Sequence, residues 1–452
     1  MSAAGIAHAS TGFGAAPSAR KSWVHWLALA LVAVTIATSG VVFTEPAPVD
    51  ALTIGLIVLL PTVGLVAFNP AILVYFSLWA LAGAAAVLAA TLSLDLGATL
   101  THVGVTLYLY LASVVFAGFV ARSPTRHTEL IFKAWTWGAV AAAAAALVGY
   151  FALLPGVYDL FTKFDRASGT FKDPNVLGPF LVAPILYLLH VALQRSPLRM
   201  IVPLAVMGIL SFAVLLTFSR GAWMNLAATF AVYGYLALLT SKRASTRLKL
   251  AALLFAGALF AAGLVALALT SDTISDMFIE RANLAMTYDV GPEGRFGGQE
   301  KAVALIVEHP LGIGAQEFAT RHHTEDVHNV YLSMLLNAGW LGGGVYWILV
   351  ALTLVLGFRH AMKATETRPL FLIAYAAFVG VALEGVIVDT DHWRHFYLLM
   401  AIIWGLMSAG TLAQPTPHAG VPTQRHPRTA TAVSPTVRPA LRRRPGMVAR
   451  PA

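Results

Sequence analysis

Few side chains in this chain can do chemistry, because 58% of its 452 residues are apolar and only 11% are charged. Those that can gather in four stretches: 158–173 with Arg166 and Lys172, 218–221 with Arg220, 271–327 with Arg281, Arg295 and Arg321, and 389–394 with Arg394. His328 and Asn329 stand directly after the third stretch. A guanidinium forks onto phosphate oxygens and stays charged at any working pH. An imidazole, with an ordinary pKa of about 6.5, takes and returns a proton near neutrality. Anion binding joined to proton transfer is the chemistry these side chains suit.

Each has a plainer reading beside it. An arginine at a helix end, such as Arg220, can snorkel to lipid headgroups. Against that, Ser219-Arg220-Gly221 is a very short turn between two apolar runs, Gly221 permits close backbone approach, and the next helix offers N–H groups that favour an anion. Arg295 lies among glycines in a loop, where solvation is ordinary. His328 is either a capped interfacial histidine or a functional one at the seam of loop and helix, and Asn329 suits a helix cap. For Arg166, Lys172, Arg281, Arg321 and Arg394, phosphate or sugar binding stands against solvation or lipid contact.

A metal reading finds little support. His322, His323, Glu325, Asp326 and His328 crowd together, but without the two imidazoles on one helical face that zinc hydrolases use. Asp272, Asp276 and Glu280 recur every four residues, which is the pattern of a solvated helix face. No metal site is therefore expected. Asp389, Asp391, His392 and His395 are expected to orient arginines, with Glu384 doing so from within the bundle. The chain has no cysteine, which removes disulfides, thiolate metal sites and cysteine nucleophiles together.

The elements that must position these groups are membrane helices. Apolar runs of about twenty residues recur from end to end, too long for barrel strands. Spans are expected at 23–43, 51–68, 70–90, 101–121, 129–153, 174–193, 200–217, 221–240, 248–270, 329–357, 369–388 and 394–412. The fold class is thus all-α integral membrane, with about twelve transmembrane helices and a large loop, 271–327, between the ninth and tenth. Lys and Arg in alternate short loops put both termini in the cytoplasm and the long loop on the periplasmic face. Within that loop a short amphipathic helix is expected over 299–308, ended by His309-Pro310, with a turn at Gly312-Ile313-Gly314 folding the chain back as a lid. Residues 1–22 read as a cytoplasmic segment leading into an uncleaved anchor, and 23–412 as the membrane domain. Residues 413–452, rich in Pro and Arg, read as a disordered cytoplasmic tail able to touch anionic lipid rather than nucleic acid.

Four motifs in order, Thr217-Phe218-Ser219-Arg220-Gly221-Ala222-Trp223, Glu293-Gly294-Arg295-Phe296, His309-Pro310-Leu311-Gly312-Ile313-Gly314 and His328-Asn329-Val330-Tyr331-Leu332, resemble the O-antigen ligase and polymerase family. Gly169-Thr170-Phe171-Lys172-Asp173-Pro174-Asn175 is similar to that family's entry to a middle helix, and the resemblance covers roughly 20–412. The chain departs from it at Phe296-Gly297-Gly298-Gln299, where many relatives carry a Trp a few residues on. The resemblance implies a metal-independent, inverting glycosyltransferase without cofactor in the bacterial inner membrane. Its donor would be an undecaprenyl-pyrophosphate-linked glycan and its acceptor a hydroxyl of lipid A core or of another glycan. The second acceptor would make it a polymerase, and a protein-glycosylating relative would use the same donor and differ only in its acceptor. Such a transfer needs a base for the acceptor hydroxyl and cations for the departing pyrophosphate, which assigns His328 as base and Arg220 and Arg295 as phosphate ligands. Arg166, Lys172, Asn329 and Arg394 are further substrate-binding candidates. A transporter or lipid flippase is the reading from another class, disfavoured because the charges gather at the outer face and no two-half repeat is evident.

Overall fold

The computed structural model describes residues 19–270, 275–278, 291–292 and 294–409. Most of the expected cytoplasmic segment 1–22, the tail 413–452, and Asp272, Glu280, Arg281 and Glu293 of the long loop lie outside the described residues.

Proline and short polar side chains start the helices. Pro70 and Pro174 stand in first turns, where a missing N–H costs nothing, behind Asn69 and Asp173, whose side chains accept from the N–H groups of Ile72 at 3.0 Å and Asn175 at 2.7 Å. Asp95 caps helix Leu96–Arg122 in the same manner through Ala98 N at 3.1 Å. Eight helices are long and apolar enough to cross a membrane: Pro70–Ala90, Leu96–Arg122, Pro124–Tyr150, Pro174–Leu193, Pro197–Leu216, Arg220–Thr240, Ala244–Ala268 and Val330–Ala361. Trp23–Thr38, Pro48–Thr62 and Arg394–Ala409 are shorter apolar helices, and Arg368–Glu384 has 17 residues. A helix lies at each expected span position, while length and composition alone qualify eight. The one sheet among the described residues is a two-stranded hairpin, Thr162–Lys163 with Arg166–Ala167.

Aromatic rings fill the centre. Trp79 stacks on Tyr110 at 4.0 Å, Tyr75 on Trp404 at 4.8 Å, and Trp404 Nε1 donates to Thr353 Oγ1 at 2.9 Å. Helix Leu96–Arg122 runs along Arg394–Ala409, Val330–Ala361 along Pro70–Ala90, and Arg368–Glu384 along Arg220–Thr240. Large apolar side chains such as Leu73, Trp137, Ile201 and Phe255 face outward. A bundle apolar on both its inside and its outside matches a lipid surround rather than water.

The feature that most shapes the packing around 306–313 is a break in helix Val330–Ala361. Gly339 has φ 67° and ψ −177°, so the ladder is interrupted there. The chain at 310–313 fills the gap: Trp340 N donates to Pro310 O at 2.9 Å and Ile313 N to Leu336 O at 2.8 Å. Trp340 Nε1 also donates to Ile306 O at 2.7 Å. Gly312, at φ +87°, lies so close that a Cβ on it would stand 2.7 Å from Gly339 N. The expected turn at 312–314 is therefore built, and it docks into a helix break that releases backbone groups to receive it.

Candidate active site

Arg220 opens helix Arg220–Thr240 from the turn after Pro197–Leu216. Ser219 caps it, its Oγ accepting from Ala222 N at 3.3 Å, and Phe218 takes φ +47° to make the turn. Arg166 braces the same corner from the hairpin, donating through Nε to Thr217 O and through Nη2 to Asn175 Oδ1, both at 2.7 Å. Arg166 is buried, and its hydrogen bonds satisfy a helix-end carbonyl.

The segment 384–389 joins this corner to His328. A Cβ on Gly221 would lie 2.7 Å from Glu384 Oε1, so only glycine fits against that carboxyl without movement. Glu384 Oε2 accepts from Asn225 Nδ2 at 2.8 Å. One residue on, Gly385 O accepts from Val330 N at 2.9 Å. Asp389 Oδ2 then accepts from His328 N at 2.8 Å, and its Oδ1 from Ser333 Oγ. His328 itself holds φ +52°, a conformation rare for a residue with a Cβ and kept here by these bonds.

Arg295 begins helix Arg295–Glu308, whose Gln299 Nε2 reaches His328 O at 3.4 Å. This helix starts four residues earlier than expected from Gln299. Arg295 is close enough to act on the imidazole: burial and the Arg295 guanidinium hold His328 below its ordinary value, against Glu325 and Asp326. His328 Nε2 stands 3.3 Å from Glu325 Oε2, and its side chain is 29% exposed, so the ring is reachable while partly desolvated. Burial, with Asp391 beside it, pushes the Asp389 carboxyl up to about 7, in spite of the bonds from Ser333 and His328.

The other candidates are held in distinct ways. Asn329 caps helix Val330–Ala361, its Oδ1 accepting from Tyr331 N at 3.1 Å and Leu332 N at 3.3 Å. Lys172 Nζ meets Glu45 Oε2 at 2.6 Å at a half-exposed position. Arg394 forms a bidentate pair with Asp50, both bonds 2.7 Å, and Tyr108 OH donates to the same carboxylate. Arg394 and Lys172 line a cleft of about 260 Å³ that also reaches Asp389, Asp391, His392 and Gln316. His323, from the crowded His322 to His328 stretch, packs its ring on Gly298 and Phe318.

Sequence reasoning passed over Glu317, His102 and Asp50. Glu317 Oε1 accepts from Leu94 N at 2.8 Å and Asp95 N at 2.9 Å, and Oε2 pairs with Arg321 at 2.7 Å. Although burial opposes it, hydrogen bonds from Ser93, Asp95 N and Leu94 N hold Glu317 below the usual carboxylate range. It pins the chain at 315–321 to the 93–95 loop, and Thr99 Oγ1 adds a bond to Ala315 O at 2.7 Å. Apart from Arg321 four residues on, nothing in its local sequence marks it, because its partners Ser93, Leu94 and Asp95 lie over two hundred residues away.

A bundle of long apolar helices with Arg220, Arg295 and His328 gathered at one end defines a membrane-type helical protein with a cationic site around an imidazole. Residues 205–347 match the family model described as O-Antigen ligase. The matched stretch contains Arg220, Arg295 and His328 together. The chain is also similar to a "General O-oligosaccharyltransferase" of Acinetobacter baylyi (strain ATCC 33305 / BD413 / ADP1), 28% identical over 277 residues, covering 57% of this chain and 46% of that protein. The alignment thus spans just under half of the relative.

Proposed function

We propose that this protein is an inverting glycosyltransferase of the O-antigen ligase type, moving a glycan from an undecaprenyl-pyrophosphate carrier to an acceptor hydroxyl at the outer face of the bacterial inner membrane. The family match over 205–347 and the relative's printed activity as an O-oligosaccharyltransferase support glycan transfer. The observation that carries the reading is the segment 384–389, which packs on Gly221 beside Arg220 and bonds the backbone of His328.

In the proposed step His328 takes the proton of the acceptor hydroxyl. The freed oxygen attacks the anomeric carbon from the face opposite the carrier. The bond from that carbon to the pyrophosphate oxygen breaks, and its electron pair leaves with the carrier, which inverts the centre. Arg220 and Arg295 take up the charge that gathers on the departing pyrophosphate, bidentately where geometry allows. A neutral imidazole is the form the base needs, and burial together with Arg295 favours it. The transfer runs through these side chains without a metal ion.

Twelve crossings with both termini cytoplasmic, a lid from 271–327, and a tail against anionic lipid belong to the same proposal. The acceptor is lipid A core sugar or another carrier-linked glycan; the relative's printed name, which speaks of oligosaccharide transfer, favours ligation over polymerisation. The test is purified protein in detergent with a carrier-linked oligosaccharide and a hydroxyl acceptor, following release of carrier pyrophosphate. Release that requires both acceptor and His328 supports the reading; none above a His328→Ala background contradicts it.

A further inference from the structure

We infer that His102, Asp391 and His392 bind one zinc-type divalent ion, which clasps helix Leu96–Arg122 to the segment 385–393 beside the transfer site. One ligand atom from each residue lies within 4.8 Å of the other two. His102 Nε2 is already 3.2 Å from Asp391 Oδ2, and the two imidazole rings stack at 4.0 Å. A tetrahedral ion with bonds of about 2.0–2.2 Å needs donors roughly 3.4 Å apart, so small side-chain rotations close the set.

The surroundings of the two rings point to a ligand. In metal sites a ligating imidazole gives its second nitrogen to a neighbouring polar group, which fixes the ring and leaves the first nitrogen for the ion. Both rings have such a neighbour. Thr106 Oγ1 lies 3.0 Å from His392 Nε2. The Thr106 hydroxyl donates its own proton to His102 O at 3.1 Å, so it accepts from His392 Nε2–H, and Nδ1 of that ring keeps its lone pair. Gln316 Nε2 stands 3.2 Å from His102 Nδ1; the two ends of the amide exchange places by a flip, and the oxygen in that position accepts from Nδ1–H. That leaves His102 Nε2 directed at Asp391.

Charge and access agree with a cation. The nearby positive groups are neutralised, Arg394 by Asp50 and Lys172 by Glu45. The 260 Å³ cleft borders His102, Asp391 and His392 and gives an ion a route and an open fourth position for water. Two imidazoles and one carboxylate select a zinc-type ion over magnesium or calcium, which prefer oxygen ligands throughout. Asp391 lies two residues from Asp389, the anchor of the His328 backbone. A bound ion would therefore steady the segment that shapes the transfer site while taking no part in the transfer. Gln316 brings the 309–328 stretch into the same clasp.

The test is metal binding, independent of activity. Full-length protein in detergent, with any affinity tag removed and metal stripped by chelator, is dialysed against buffered Zn2+, and bound zinc is counted by mass spectrometry. One zinc per chain is expected, lost in His392→Ala and in Asp391→Asn and retained in His328→Ala. Thr106→Val, which keeps the side-chain shape and removes the hydrogen bond, should weaken binding by about 10- to 100-fold. It decides the matter if the ligand variants do not fold. Wild-type protein that takes up no zinc, or a folded His392→Ala or Thr106→Val protein that binds it as tightly as wild type, overturns the site. The His328→Ala arm keeps this result separate from the fate of the transferase proposal.

Discussion

Asp389 accepts the backbone N–H of His328 at 2.8 Å and so fixes a histidine whose φ is +52°. The same carboxyl takes Ser333 Oγ, which ties it to the first turn of helix Val330–Ala361. The base of the proposed transfer thus owes its direction to a residue 61 positions further along the chain. Asp389→Ala is expected to lower kcat by about 10- to 100-fold, since misplacing a catalytic group by about an ångström has that scale of effect. Asp389→Asn, which keeps an acceptor for the His328 N–H, should lose less. Steady-state transfer kinetics on folded protein check both, and equal loss in the two variants would deny the anchor role.

The pH profile carries a signed prediction. His328 must be neutral to take a proton, and it is neutral above its pKa. Burial and Arg295 push that pKa down, Glu325 and Asp326 push it up, and Asp389 faces the residue from the 385–393 segment. The acid limb of kcat/KM therefore lies below the ordinary imidazole value of about 6.5. Glu325→Gln removes an acid that stabilises the imidazolium, so the limb moves to still lower pH. A limb that stays fixed, or moves upward, would show that another group titrates.

The break at Gly339 predicts a stability effect. A Cβ on Gly339 would stand 2.6 Å from Leu311 C at a φ of +67°. Gly339→Ala should therefore destabilise the fold by about 1–3 kcal/mol or more, from backbone strain and displacement of the 310–313 chain. Gly344→Ala, in the same helix with open space at its Cβ, should leave stability almost unchanged. Thermal unfolding in detergent, followed by Trp fluorescence, distinguishes them.

Arg394 was a candidate for substrate, yet its guanidinium is bound bidentately by Asp50 and its side chain is 18% exposed. Asp50→Asn would strand that charge, at a cost of about 3–5 kcal/mol for a largely buried pair, less whatever water reaches it. The double variant Asp50→Asn with Arg394→Gln should recover part of the loss. If the single variant melts like wild type and raises only KM, Arg394 serves substrate instead.

Helix positions were legible from the recurring apolar runs of about twenty residues, and the structure adds the caps that start them, as at Asn69-Pro70 and Asp173-Pro174. The motif residues Arg220, Arg295 and His328 stood out in the sequence as scarce polar and charged side chains in an apolar chain. The start of helix Arg295–Glu308 was not, since Gly297-Gly298 reads as loop. Both glycines are held in the helix by close approach, Gly297 to Gly291 O and Gly298 to the His323 ring. The break at Gly339 was hidden as well, because it lies inside the expected span 329–357 and is made by the separate segment 310–313. Partnerships such as Glu317 with 93–95, or His102 with Asp391, join residues more than two hundred positions apart and leave no local trace.

The most direct test of the account compares cells of the native host whose only copy is wild type, His328→Ala, Arg220→Ala or Arg295→Ala, at matched membrane levels. Carrier-linked and surface glycan are resolved by size on gels. Each variant is expected to insert normally, lose surface glycan and accumulate carrier-linked glycan, full-length chains marking a ligase and single repeats a polymerase. Wild-type patterns in all three variants would contradict the proposed site and move a transport function ahead of glycan transfer.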